Sequence, residues 1–152
     1  MKKLFLALSA LAFATSAVQA DAITDRKAIM KERGKIVGGL GKIAKGEAPF
    51  DGAAVLTELQ ALSANAEKAT AVDALWPAGS ETGKDAEGKD TESSPKIWED
   101  MAGFKAAADK FKTEAAAAAA TAPADLAAFQ ATFGALTKNC GGCHETFRIK
   151  KN

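Results

Sequence analysis

Apolar residues recur at steps of three and four along most of this chain, in four separate runs, the period of helices that bury one face. Ile23, Arg26, Met30, Val37, Leu40 and Ala44 share one stripe, at spacings of three and four or their sums, and predict a first helix from about Ala22 to Ala44. Gly46-Glu47-Ala48-Pro49-Phe50 reads as a turn. Asp51 can then N-cap a second helix with Val55, Leu59, Leu62, Ala66, Ala69 and Val72 inward, ended by Trp76-Pro77. Residues 78–93 are rich in Gly, Ser, Lys and acidic residues and read as an exposed loop. Ser94-Pro95 is a cap followed by proline at the first helical position. The third helix carries Trp98, Met101, Phe104 (or Lys105 beside it), Ala108 and Phe111 on one face, and the alanine run 115–120 extends it. Thr121-Ala122-Pro123 breaks the chain again. The fourth helix, from about Ala124 to Ile149, turns Leu126, Phe129, Phe133, Leu136, Cys140, Cys143 and Phe147 inward. No stretch alternates like a strand. The pattern predicts an all-α fold, an antiparallel four-helix bundle, in which a cofactor would sit between facing helices.

Two features complicate the first run. Gly34, Gly38, Gly39 and Gly41 each weaken a helix by roughly 1 kcal/mol relative to Ala. They imply either a bulky group close to the backbone or close helix–helix packing. Upstream, Met1-Lys2-Lys3 precedes the apolar stretch LFLALSALAFATSAV and then Gln19-Ala20. A charged start, an apolar stretch and small residues before a cut read as a secretory signal peptide over residues 1–20, cleaved after Ala20, with Ala17 as a second site. Residues 21–152 then form one domain. The apolar run is short for a span of about 20 residues.

Without Lys2 and Lys3 the chain has 18 basic and 19 acidic side chains. That balance gives no electrostatic reason to expect nucleic acid or an anionic membrane as partner. Outside the cytoplasm two free thiols oxidise unless something else claims them.

Both cysteines and the one histidine of the chain fall within Cys140-Gly141-Gly142-Cys143-His144. The two cysteines continue the inward stripe of the fourth helix, one turn apart. Four readings of this cluster compete. Two thiols a turn apart with a histidine directly after suit c-type haem attachment, each thiol adding to a vinyl group and His144 ligating iron. A redox dithiol belongs at a helix N-terminus after a strand. A structural zinc site wants four ligands. A simple disulfide would pair poorly across one helical turn. If haem is bound, the second axial position falls to Met30, to Met101 or to nothing, and a Met on an inward stripe also suits plain packing.

The C-terminal CGGCHETFR, the turn KGEAPFD (Lys45–Asp51) and SSPKIW (Ser93–Trp98) resemble the class II cytochromes c, the family of cytochrome c′ and cytochrome c-556. The resemblance covers essentially all of the chain after residue 20. It implies a four-helix bundle with one covalent haem c on the last helix. It places Met30 at the distal position, a ligand in the c-556 type and replaced by a non-ligating side chain in cytochrome c′. It places Arg26 near a haem propionate, and Arg148 at the fourth residue after His144, as a propionate or pocket contact or an exposed tail charge. Trp76, Trp98, Phe104 and Phe147 are candidates for the pocket wall or for plain core. A homodimer through the first two helices is common in the family.

The function that follows is a periplasmic electron carrier, low-spin with His144 and Met30 on the iron, serving redox partner proteins. The alternative is a five-coordinate haem protein that binds nitric oxide or carbon monoxide. Beyond CGGCH there is no second titratable cluster and no spare histidine for acid–base work, so an enzyme is not expected.

Overall fold

The computed structural model of this chain describes residues 5–149, with side chains from residue 21 onward. The charged Met1-Lys2-Lys3 start lies outside the described residues. Six helices are described: α1 (Phe5–Ala44), α2 (Gly52–Lys68), α3 (Val72–Leu75), α4 (Lys96–Glu99), α5 (Met101–Ala118) and α6 (Leu126–Phe147). The four long ones form the bundle, with α1 against α2, α2 against α5, α5 against α6 and α6 closing on α1. Helix α1 begins well before Ala22 because no proline interrupts the alanine- and leucine-rich stretch ahead of it. None of the described helices is long and apolar enough to cross a membrane.

Short turns make the antiparallel pairs. Gly46 has φ of 74°, a left-handed conformation that glycine adopts at no steric cost. There Glu47 N–H donates to the Lys42 carbonyl at 2.8 Å and Gly46 N–H to that of Ile43 at 2.9 Å. This is a Schellman stop. The Asp51 carboxylate accepts from Ala54 N–H, capping α2, and Asp125 does the same for α6 through Ala128 N–H.

Two of the expected helices are broken. The second ends at Lys68 and resumes as the single turn α3. The Thr70 hydroxyl donates to the Glu67 carbonyl at 2.7 Å, competing with the backbone ladder. The third is split at Asp100, whose φ of −135° is not helical and whose carboxylate caps α5 through Gly103 N–H. A Cβ at Gly103 would collide with that carboxylate. The split turns Ile97 into the core and leaves Trp98 only half-buried.

The core divides in two. One cluster, at the closed end of the bundle, joins Leu40, Val55, Leu59, Leu62, Phe111, Phe129 and Leu136. The other joins Val72, Leu75, Trp76, Ile97, Phe104 and Phe147. The rings of Trp76, Phe104 and Phe147 stack edge to face in series, with centroids 4.7 and 5.1 Å apart.

Candidate functional site

Between the two clusters the bundle opens into a cavity of about 540 Å³. Helix α6 brings Cys140, Cys143 and His144 to it, and α1 brings Arg26, Met30 and Arg33. Part of the remaining wall is small and apolar. Ala66 comes from α2, Ala69 follows that helix, and Ala107 and Ala108 come from α5. Trp76, Phe104 and Phe147 line it too, whereas Trp98 does not. The cysteines sit half-buried while Gly141 and Gly142 face out, so the inward stripe of α6 runs through the motif. Both thiols are free. His144 is exposed at the cavity's edge.

Electrostatics here follow burial. Desolvation pushes both thiols above their ordinary range, and the charge of Arg33 pulls the other way. Desolvation lowers the His144 imidazole, helped by Arg148 and Arg33 and opposed by Glu92. Each lowering effect favours the neutral imidazole.

Arg26 is only 2 % exposed, and burial lowers its guanidinium to about 10, against the charge of Glu81. Its Nη1 donates to the Leu75 carbonyl at 3.1 Å and to Ser80 Oγ at 2.9 Å. Its Nη2 donates to the Ser80 carbonyl at 2.9 Å and to Thr91 Oγ1 at 2.6 Å. The guanidinium lies 5.8 Å from the ring centroids of both Trp76 and Trp98. Arg26 therefore clamps the loop between α3 and α4, and Ser80 and Thr91 are buried in a segment whose composition reads as exposed. The Arg26 Nε is buried with no hydrogen-bond partner. A buried donor of this kind costs about 1–3 kcal/mol if nothing meets it, and it belongs to a residue of the cavity wall.

Arg148, half-exposed at the end of α6, pairs with Glu92 at 3.6 Å and also lines the cavity. Backbone bonds fix this corner. Ser94 N–H donates to the Phe147 carbonyl at 3.0 Å and Ile149 N–H to that of Glu92 at 2.9 Å.

Two polar residues escaped the sequence reading. Arg33 Nε donates to Asn65 Oδ1 at 2.8 Å, and its guanidinium lies 4.6 Å from the Phe111 ring centroid. Asn65 is fully buried, and its Nδ2 donates to the Ile29 carbonyl at 3.1 Å and to Glu32 Oε2 at 2.9 Å. The signal for Arg33 was the seven-residue gap between Met30 and Val37 in the stripe of α1, which position 33 fills. For Asn65 the spacing from Leu62 allowed an inward position that its polarity argued against. The glycine expectations divide. Gly34 lines the cavity, Gly38 and Gly39 face open space, and Gly41 makes one ordinary contact, 3.8 Å to Phe133. Close helix–helix packing within the chain does not explain them.

The residues present fit a haem: two thiols one turn apart, an imidazole, a thioether, alanine and aromatic wall residues, and arginines on the wall. Comparison with known proteins decides the family. The family model for Cytochrome C' matches residues 21–148. The chain belongs to this family. It is 40 % identical over 129 residues to cytochrome c-556 of Agrobacterium fabrum, covering 85 % of this chain and 82 % of that one. It is also 40 % identical over 134 residues to a cytochrome c′ of Rhodopseudomonas palustris, covering 88 % and 86 %. The solved cytochrome c′ of Rhodopseudomonas palustris superposes with a TM-score of 0.76, at 40 % identity, over 87 % of this chain and 98 % of that one. A nitric oxide complex of a variant cytochrome c prime from Alcaligenes xylosoxidans superposes with a TM-score of 0.70 at 29 % identity, over 88 % and 97 %. These neighbours confirm the four-helix bundle and, with the family, a covalently attached haem c as the cofactor of this cytochrome.

Proposed function

We propose that this cytochrome is an exported electron carrier with histidine and methionine on its iron. The observation that carries the reading is the single cavity shared by Cys140, Cys143, His144 and Met30. Cys140 and Cys143 would hold the haem through thioethers, and His144, on the next position of the same helix, would supply a nitrogen to its iron. Met30, on an inward position of α1, supplies a thioether. When bound, the haem supplies a one-electron ferric–ferrous couple, and a methionine ligand raises its potential. The chain does the rest. The apolar part of the wall excludes water, and Arg26, its terminal nitrogens fixed on the α3–α4 loop, places a positive charge on the wall for a propionate. Arg148 and Glu92 stand at the cavity edge beside His144. Residues 1–20 direct export to the periplasm and are removed after Ala20. Two copies pair through α1 and α2, where Gly38 and Gly39 allow close approach.

A second reading, an open iron that binds nitric oxide or carbon monoxide, draws support from the nitric oxide complex solved for a structural neighbour. In that reading Met30 is packing. The absorption spectrum separates the two. The first expects a low-spin ferric spectrum with a methionine–iron charge-transfer band, little response of the reduced protein to carbon monoxide, and conversion to high spin in Met30→Ala. A high-spin wild type that shifts at once with the gas, and a Met30→Ala variant of unchanged spin state, would establish the second.

A further inference from the structure

Arg33 ties α1 to Asn65 of α2, and its surroundings are unusual for a cation. Its anchor is neutral: Nε on Asn65 Oδ1 at 2.8 Å, and Nη2 toward the Asn65 carbonyl at 3.4 Å. The carboxylate beyond that amide, Glu32, is engaged at 3.0 Å by Lys68, so this group of three charges keeps one net positive. Two other cations of the wall are paired with carboxylates. Lys27 pairs with Asp85 at 2.6 Å and Arg148 with Glu92 at 3.6 Å. Arg26 spends both terminal nitrogens on the loop. Arg33 sits instead over the face of Phe111, in the cavity, and its charge is felt at Cys140, Cys143 and His144 together.

We propose that Arg33 sets the reduction potential of the haem upward, as a fixed cation that Asn65 and Phe111 hold against the edge where the haem is attached. The physical reason is Coulombic. Ferrous haem carries one positive charge fewer than ferric haem, so a nearby cation favours the reduced form. A unit charge about 12 Å from an iron centre, at an effective dielectric constant near 20, changes the ferrous-to-ferric ratio about tenfold. That ratio corresponds to about 59 mV for one electron. The proposal rests on the haem alone and holds whether or not Met30 is a ligand.

The test is a spectroelectrochemical titration of the haem-loaded protein, wild type against Arg33→Gln, Arg33→Lys and Asn65→Asp. Arg33→Gln should lower the ferrous-to-ferric ratio about tenfold at fixed ambient potential, by about 59 mV. Arg33→Lys should keep most of the wild-type value, because it keeps the charge. Asn65→Asp should fall with Arg33→Gln, since a carboxylate beside Arg33 cancels it while the cation stays in place. These differences should persist in about 1 M salt, which screens exposed charges but not enclosed ones. An unchanged potential in Arg33→Gln overturns the proposal. So does a fall in Arg33→Lys as large as in Arg33→Gln, or a changed ferric spin state in Arg33→Gln, either of which marks a packing role. If Arg33→Gln fails to accumulate with haem, an unchanged potential in Asn65→Asp overturns it equally.

Discussion

The closed end of the bundle and the cavity end are built from the same four helices, and each helix changes character between them. On α6, Phe129, Phe133 and Leu136 give way to Cys140 and Cys143. On α2, Val55, Leu59 and Leu62 give way to Ala66, with Ala69 just beyond the helix, and on α1, Val37 and Leu40 are preceded by Arg26, Met30 and Arg33. The helical period does not change from one end to the other; what changes is side-chain chemistry. At the closed end the chain fills its own interior to the density proteins require. At the cavity end several inward positions carry alanine, polar or sulfur-bearing side chains beside the rings of Trp76, Phe104 and Phe147, and they leave the cavity in which we place the haem. Burial pattern alone therefore positions the site, and residue chemistry says what occupies it.

Removing the thiols is the sharpest way to break this comparison. In a Cys140→Ala/Cys143→Ala double variant, haem should no longer survive acid–acetone extraction or denaturing electrophoresis with haem staining, so covalent attachment falls to background. The closed end should keep its helical circular dichroism. Haem that remains covalently bound to that variant would refute the assignment of the two thioethers.

A second break falls at the other end. Phe129 is fully buried and packs against Phe50 and Phe133, with ring centroids 6.3 and 5.6 Å away. Phe129→Ala should cost about 3–5 kcal/mol by denaturant unfolding, from lost transfer energy and the cavity left behind. The loss should be similar with and without haem, because Phe129 and the two rings it packs against, Phe50 and Phe133, do not line the cofactor cavity. A loss confined to the haem-loaded form would show that the two ends are not independent.

Legibility in the sequence divides along the same line. The closed end was readable because its apolar stripes are unbroken, as in Leu126, Phe129, Phe133 and Leu136. CGGCH was readable because it extends that stripe with residues of distinctive chemistry. Arg33 and Asn65 were hidden because a buried polar side chain breaks the very pattern that marks a core, and only the gap it leaves betrays it. The breaks at Thr70 and Asp100 were hidden because local hydrogen bonds to side chains, not proline or glycine, end those helices. Ser80 and Thr91 sit in a polar loop, and their burial depends on a partner, Arg26, more than fifty residues away in the chain.

That loop supports the next prediction. Arg26→Met keeps the length and removes the donors, leaving Ser80 and Thr91 buried without their partner. Breaking such a network should cost about 3 kcal/mol of stability, already in the haem-free chain. A variant as stable as wild type without haem, and weaker only with it, would show that Arg26 serves the propionate and not the loop.

The smallest effect belongs to the outer part of the same loop. Asp85 accepts from Lys27 at 2.6 Å and from the N–H groups of Glu87 and Lys89 at 3.0 and 2.8 Å. The hydrogen bond from Lys27, then that from the Lys89 backbone, holds its carboxyl below the usual aspartate range. A depressed carboxylate stabilises the fold above its unfolded value of about 3.9, and that contribution is lost as the pH falls through the lower folded value. Hydrogen exchange of residues 84–90 should therefore be constant between about pH 7 and 5 after correction for the intrinsic rate. Protection should then decline below about pH 4. In Asp85→Asn protection should be lower and the acid decline smaller, the remainder coming from Glu87 and Asp90, which Lys89 and Lys84 hold below their usual range, with the haem spectrum unmoved. A haem spectrum that changed with this substitution would mean that the loop carries its state into the cavity through Arg26, joining the two parts of the wall that the hydrogen bonds keep separate.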